Sequence, residues 1–200
     1  MSTMNKTALT TRKMTYLALL TALVVVLQFA GSFIHIGRFS VTLVLLPIVV
    51  GAALCGAWSG AWLGAVFGIA VFITGDAADF LTVDPLGTVI TVMLKGILAG
   101  LAAGLIYRLL EKFNVMLAVF VAACVAPIVN TGIFILGGFI FFLDTLEMWG
   151  SSLGFSSAGE YLILGMAGGN FIFELAFNLV LAPIAVKLIN LAPVMQDRKK

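Results

Sequence analysis

Residues 115–143 read VMLAVFVAACVAPIVNTGIFILGGFIFFL, and none of them carries a charge. A hydrocarbon core of about 30 Å is crossed by roughly 20 apolar residues of helix, so this run is long enough to span a bilayer. Working outward, comparable runs occupy Met14–Phe29, Val41–Leu54, Ala57–Thr74, Leu86–Leu110 and Tyr161–Asn190. The pattern predicts an all-α integral membrane protein, a bundle of six transmembrane helices forming one domain over residues 1–200. The Val41–Leu54 segment is short for a span and contains Pro47, so a tilt or kink is expected there. Gly75–Pro85 and Asp144–Gly159 read as loops, and Glu111–Asn114 as a tight turn.

Composition agrees with the runs. Of 200 residues, 62% are hydrophobic and 10% charged, with mean hydropathy +1.19, where a soluble domain carries about 25% charged residues. A cytosolic enzyme, a nucleic-acid binder and an attached ATPase domain are excluded on this ground, and a net charge of +2 implies no polyanionic partner. Cys55 and Cys124 stand on separate apolar segments, so neither a disulfide framework nor a zinc site is expected. The run from Met14 lacks a small-residue cleavage site and reads as a retained helix.

Nine of the eleven basic residues (Lys6, Arg12, Lys13, Arg108, Lys112, Lys187, Arg198, Lys199 and Lys200) fall on one side of this arrangement. The opposite loops hold Arg38 with Asp76, Asp79, Asp84, Asp144, Glu147 and Glu160. The positive-inside rule places both termini in the cytoplasm of a plasma-membrane protein.

Charges within the bilayer are costly and mark function by default. Lys95 and Glu174 are the candidates, accompanied by Asn130, Asn170 and Asn178; positions 170, 174 and 178 form one stripe of a helix. At about 1.5 Å per residue, Lys95 and Asn170 lie roughly 13 Å below the outer face, and Asn130 and Glu174 roughly 18–20 Å. Groups from three helices thus share one level, which suits a small polar ligand entering from outside. A structural Lys95–Glu174 ion pair with asparagines as interhelical glue is the competing reading. His35 and Arg38, in the first outer loop, are candidate lid residues. The outer-loop acids read as an ordinary solvated loop, and Trp58, Trp62 and Trp149 as interfacial anchors.

Small residues recur every four positions: Ala18 and Ala22; Gly56, Gly60, Gly64 and Gly68; Gly96, Gly100 and Gly104. The glycine series suit close helix packing inside the bundle, whereas the alanine pair could face another membrane protein. No H-E-x-x-H, G-x-S-x-G, P-loop or C-x-x-C motif is present, and no cofactor is expected. The cytoplasmic halves of the helices are too apolar for a channel.

Three segments carry a resemblance: Arg12-Lys13-Met14-Thr15-Tyr16-Leu17-Ala18-Leu19-Leu20-Thr21-Ala22; Leu46-Pro47-Ile48-Val49-Val50-Gly51-Ala52-Ala53-Leu54-Cys55-Gly56; and Gly169-Asn170-Phe171-Ile172-Phe173-Glu174. In order, length and topology the chain resembles the substrate-binding S components of energy-coupling factor (ECF) vitamin transporters. The resemblance implies a six-helix protein that binds a vitamin or related micronutrient from outside. It also implies partners: a membrane coupling subunit, contacted through Ala18 and Ala22, and two cytoplasmic ABC ATPases that do the hydrolysis. By the same resemblance His35, Arg38, Lys95, Asn130, Asn170 and Glu174 fall at ligand positions. The aromatic cage with a carboxylate that suits a cationic ring is not evident, and Lys95 with amides suits pantothenate first. Riboflavin, using asparagines with Phe134 and Phe171, comes second. A self-sufficient small transporter and a non-transport membrane scaffold are the alternatives.

Overall fold

The computed structural model describes residues 3–36, 39–40 and 42–193, with side chains throughout except at 3–9, 35–36 and 39–40. Its helices are α1 (Thr3–Gly31), α2 (Leu45–Cys55), α3 (Ala57–Thr74), α4 (Ala78–Val83), α5 (Pro85–Leu110), α6 (Val115–Phe141), α7 (Leu143–Ser152), α8 (Ala158–Glu160) and α9 (Gly169–Leu191). A π-helical segment, Tyr161–Gly168, joins α8 to α9 without a break, and a minimal antiparallel hairpin pairs β1 (His35–Ile36) with β2 (Phe39–Ser40). Five helical stretches are long and apolar enough to cross a membrane, and α2 is a shorter sixth.

At about 1.5 Å per residue, the 11 residues of α2 extend only some 16 Å, half the hydrocarbon thickness. Nine of those residues are buried, because the helix is apolar on every side and lies inside the bundle against α1, α3, α5, α6 and α9. Pro47 costs α2 little, for a local reason. Pro47 is the third residue of the helix, where a backbone N–H has no intrahelical acceptor to lose. Gly56, at φ 113°, ends α2 and starts α3, a turn that L-residues with side chains rarely adopt.

Both expected loops contain helix. Asp84 caps α5 by accepting from the Gly87 N–H at 2.9 Å, with Pro85 at the first helical position. That leaves the Gly75–Pro85 stretch free to form the single turn of α4. Between α6 and the final helix, α7 turns Leu146 into a buried aromatic cluster with Phe80, Phe142, Tyr161 and Leu162, so the Asp144–Gly159 segment packs rather than floats. α1 begins eleven residues before the expected span, since its polar first turns continue the same helix.

The tightest packing joins α3 to α5. A Cβ on Gly64 would collide with the backbone carbonyl of Gly96, and one on Gly60 with that of Gly100. Lipid offers no hydrophobic drive for helix association, so the two backbones gain dispersion by direct approach.

Gly64→Ala should therefore lower the melting temperature by several degrees, since overpacking against a rigid backbone costs about 1–3 kcal/mol. Gly132→Ala, where an added Cβ meets nothing within 4 Å, should hold or raise it through helix propensity. Thermal unfolding of the two variants in one detergent checks the contrast.

Candidate functional site

Fifteen residues from α1, α3, α4, α5, α6, α9 and the intervening turns line a cavity of about 590 Å³, open solvent at its mouth included. A smaller chamber of about 300 Å³ adjoins it and shares Lys95, Phe134 and Asn170 with it. All these elements meet at the end of the bundle where α1, α3 and α6 finish and α5 begins. The Cys55–Gly56 turn and the Glu111–Asn114 turn lie at the other end.

The walls are built from a few stripes. On α5, Thr88, Thr91, Val92 and Lys95 fall on one face at helical spacing. Facing them, α3 supplies Phe67 and Val71. From α4, α6 and the residue just after α6 come Phe80, Phe134 and Phe142, with Phe80 edge to face against its neighbours: it lies 6.1 Å from Phe134, 4.9 Å from Phe142 and 5.7 Å from Trp149. Trp149, read from sequence as an interfacial anchor, instead braces this cluster.

The Lys95 ammonium stands over two rings, 5.6 Å from the centroid of Phe67 and 5.6 Å from that of Phe134. A cation between two aromatic faces is stabilised by their quadrupoles. Lys95 also faces two acids, Glu174 first and Asp76 second, with a salt bridge to neither among the described residues. The competing reading of a contact ion pair is thus not the observed arrangement.

Asp76 lines the cavity, whereas its sequence position among the outer-loop acids reads as an ordinary solvated loop. It accepts from Gln28 Nε2 at 2.6 Å and from Thr74 Oγ1 at 3.0 Å, which ties the C-terminal ends of α1 and α3 together. Gln28 is the available signal, an amide in the otherwise apolar last turns of α1. Asp79 and Asp84 do not line the cavity.

The expected stripe of 170, 174 and 178 divides into three roles. Asn170 lines both chambers and donates through Nδ2 to Glu174 Oε1 at 2.8 Å. Glu174 is wholly buried and lines neither chamber. Its other oxygen, Oε2, has no hydrogen-bond partner. Asn130 is 3% exposed and lines the smaller chamber. Asn178 points elsewhere: its amide donates to the Ala123 carbonyl of α6 at 3.2 Å. Pro127, four residues on, has no N–H for that carbonyl, so Asn178 satisfies the acceptor that proline leaves open.

Of the remaining expectations, His35 begins β1 and Arg38 lies outside the described residues. Phe134 lines the cavity and Phe171 does not. Ala18 and Ala22 are exposed on α1, whose buried side meets α2 and α3.

The sequence matches the family described as ECF transporter, substrate-specific component, over residues 12–186. No curated protein matches it significantly. Among solved structures it is similar to ThiT from Listeria monocytogenes, at 20% identity and a TM-score of 0.66, over 92% of this chain and 96% of that one.

Lys95→Met should leave the fold nearly intact. Methionine fills the same space between Phe67 and Phe134, and only a cation–π contribution of about 0.5–2 kcal/mol is lost. Melting temperature and ligand affinity measured together are expected to separate, with a small thermal shift beside a loss in affinity of 30-fold or more, the scale of about 2–5 kcal/mol for one truncated charged hydrogen bond.

Proposed function

The chain belongs to the substrate-specific components of ECF transporters, and we propose that it captures a vitamin-class micronutrient outside the cell for ATP-driven import. The observation that carries this reading is the cavity at one end of the bundle, ring-walled and edged with polar groups, while the other end is packed with apolar side chains. With the basic residues read as cytoplasmic, the mouth opens outward and both termini lie inside. The engine is then supplied by partners: a membrane coupling subunit and two cytoplasmic ABC ATPases.

Phe67, Phe80, Phe134 and Phe142 favour a ligand with a flat ring. Asp76 beside these rings also supplies the pairing of aromatic wall and carboxylate that the linear sequence did not display. Flat-ring vitamins, riboflavin and thiamine, therefore move ahead of pantothenate. Lys95 and the asparagines remain the polar contacts, and His35 and Arg38 the lid residues.

Isothermal titration of the purified chain with riboflavin, thiamine and pantothenate tests the ligand class. One ring-bearing vitamin is expected to bind 1:1 and about 30- to 100-fold more tightly than pantothenate, the scale of two or three aromatic contacts of about 1 kcal/mol each. Pantothenate binding most tightly, or no binding by any of the three, would contradict the reading.

For the coupling subunit, the proposed dock is the outward face of α1. Leucine at both Ala18 and Ala22 would hold an approaching backbone away. Cells carrying the double variant should lose uptake at least tenfold while the isolated protein binds its vitamin unchanged. Equal loss of both activities would place the alanines in the bundle's own packing.

A further inference from the structure

At the end of the bundle away from the cavity, α2 passes into α3 at Gly56, and basic residues of two other helices meet at this one turn. The Arg108 guanidinium, reaching over from the end of α5, lies so close that a Cβ on Gly56 would stand 2.5 Å from its Nη2. From the other side, Cys55 Sγ donates to the Lys13 carbonyl at 3.5 Å, which fixes that part of α1 beside the same turn. Gly56 therefore serves twice, for its φ of 113° and because the guanidinium occupies the place of a side chain.

The protein neutralises neither cation. Arg108 is exposed and Lys13 half-buried, and neither has an acidic partner among the described residues. Lys112 adds an exposed base four residues beyond Arg108, and Glu111 is the one acid at this end among the described residues. Like charges gathered at the edge of a low-dielectric bundle repel one another, so the turn has a standing need for an anion.

The kind of anion follows from the surroundings. Trp58, two residues past the turn, is 79% exposed, and Leu109, next to Arg108, is 62% exposed. Leu105 continues that side of α5 toward the bundle's middle, and Met14 follows Lys13 on α1; both are exposed. A soluble anion would gain nothing from these side chains. An amphiphile matches both halves, with its phosphate on the two cations, its acyl chains along the leucines, and the indole at headgroup level where such rings prefer to sit.

We propose that the Gly56 turn, with Lys13 and Arg108, binds the phosphate of an anionic phospholipid in the cytoplasmic leaflet. The choice of leaflet rests on the orientation proposed above, and the site itself does not. A lipid held there ties α1, the α2–α3 turn and α5 together at the end opposite the cavity.

Native mass spectrometry of the full chain from mixed micelles reads the association of phosphatidylglycerol against phosphatidylcholine at equal concentration. The wild type should prefer the anionic lipid about 25-fold, about fivefold for each of two basic side chains at a headgroup. Arg108→Gln and Lys13→Gln should each lower the ratio to about fivefold and the double variant toward one, while Lys187→Gln, on α9, leaves it unchanged. Should the double variant not fold, the melting temperature of the wild type supplies a second readout. Phosphatidylglycerol is expected to raise it by several degrees over phosphatidylcholine, as a ligand of the folded state does, and inorganic phosphate to leave it where it is.

Equal association of the two lipids with the wild type, a preference that survives in the double variant, or one that falls as far in Lys187→Gln overturns the proposal. So does stabilisation by inorganic phosphate equal to that by the lipid, which would make the turn a site for soluble anions. Maleimide labelling of Phe113→Cys from outside intact cells, above that of the parent chain, would overturn the leaflet and the outward-facing cavity together. Absence of the lipid preference, with Phe113→Cys labelled only after permeabilisation, sinks this proposal alone.

Discussion

The direct backbone contact between α3 and α5 governs where everything else lies. In lipid, apolar side chains gain little by leaving the solvent, so helices associate where small residues let them approach closely. Gly60 faces Gly100 and Gly64 faces Gly96, and these pairs fix both the distance and the register of the two helices. Lys95 immediately precedes Gly96, and Phe67 lies one turn beyond Gly64. The register that joins the glycines therefore sets the ammonium over the Phe67 ring. Toward the Cys55–Gly56 end the packing continues with Gly104 against Ala57; toward the other end lies the cavity.

A second constraint is that polar groups at membrane depth must find partners inside the protein. The structure meets it in two ways. Where the need is structural, the pairing is complete: Asn178 serves the carbonyl opened by Pro127, and Gln28 and Thr74 serve Asp76. Where amides line the cavity, Asn170 engages Glu174 through its nitrogen while its oxygen and that of Asn130 have no hydrogen-bond partner.

Much of this was legible in the sequence. Apolar runs locate the long helices, fourfold glycine spacing locates the α3–α5 contact, and the expense of polar groups at membrane depth points to Lys95, Asn130 and Asn170. What escaped reading depended on three-dimensional neighbours. Asp76 follows a glycine in a turn, where no periodicity marks it, and only the end of α1 carrying Gln28 makes it part of the wall. Phe80 and Phe142 belong to different elements, and their shared cluster with Trp149 has no linear pattern. Glu174 was identified as costly but not as shielded behind two asparagines, because side-chain spacing cannot say which of three stripe residues reaches a cavity. Asn178 is the reverse case: Pro127 was visible, and an open carbonyl four residues before it could have been anticipated.

The central claim is that the ring-walled cavity between α3, α5, α6 and α9 holds the transported molecule. An experimental structure of the chain saturated with its bound vitamin tests it most directly. The account predicts ligand density touching Lys95, Phe134 and Asn170, the three residues common to both chambers. Stoichiometric density at another place in the bundle, with this cavity holding none, would contradict it.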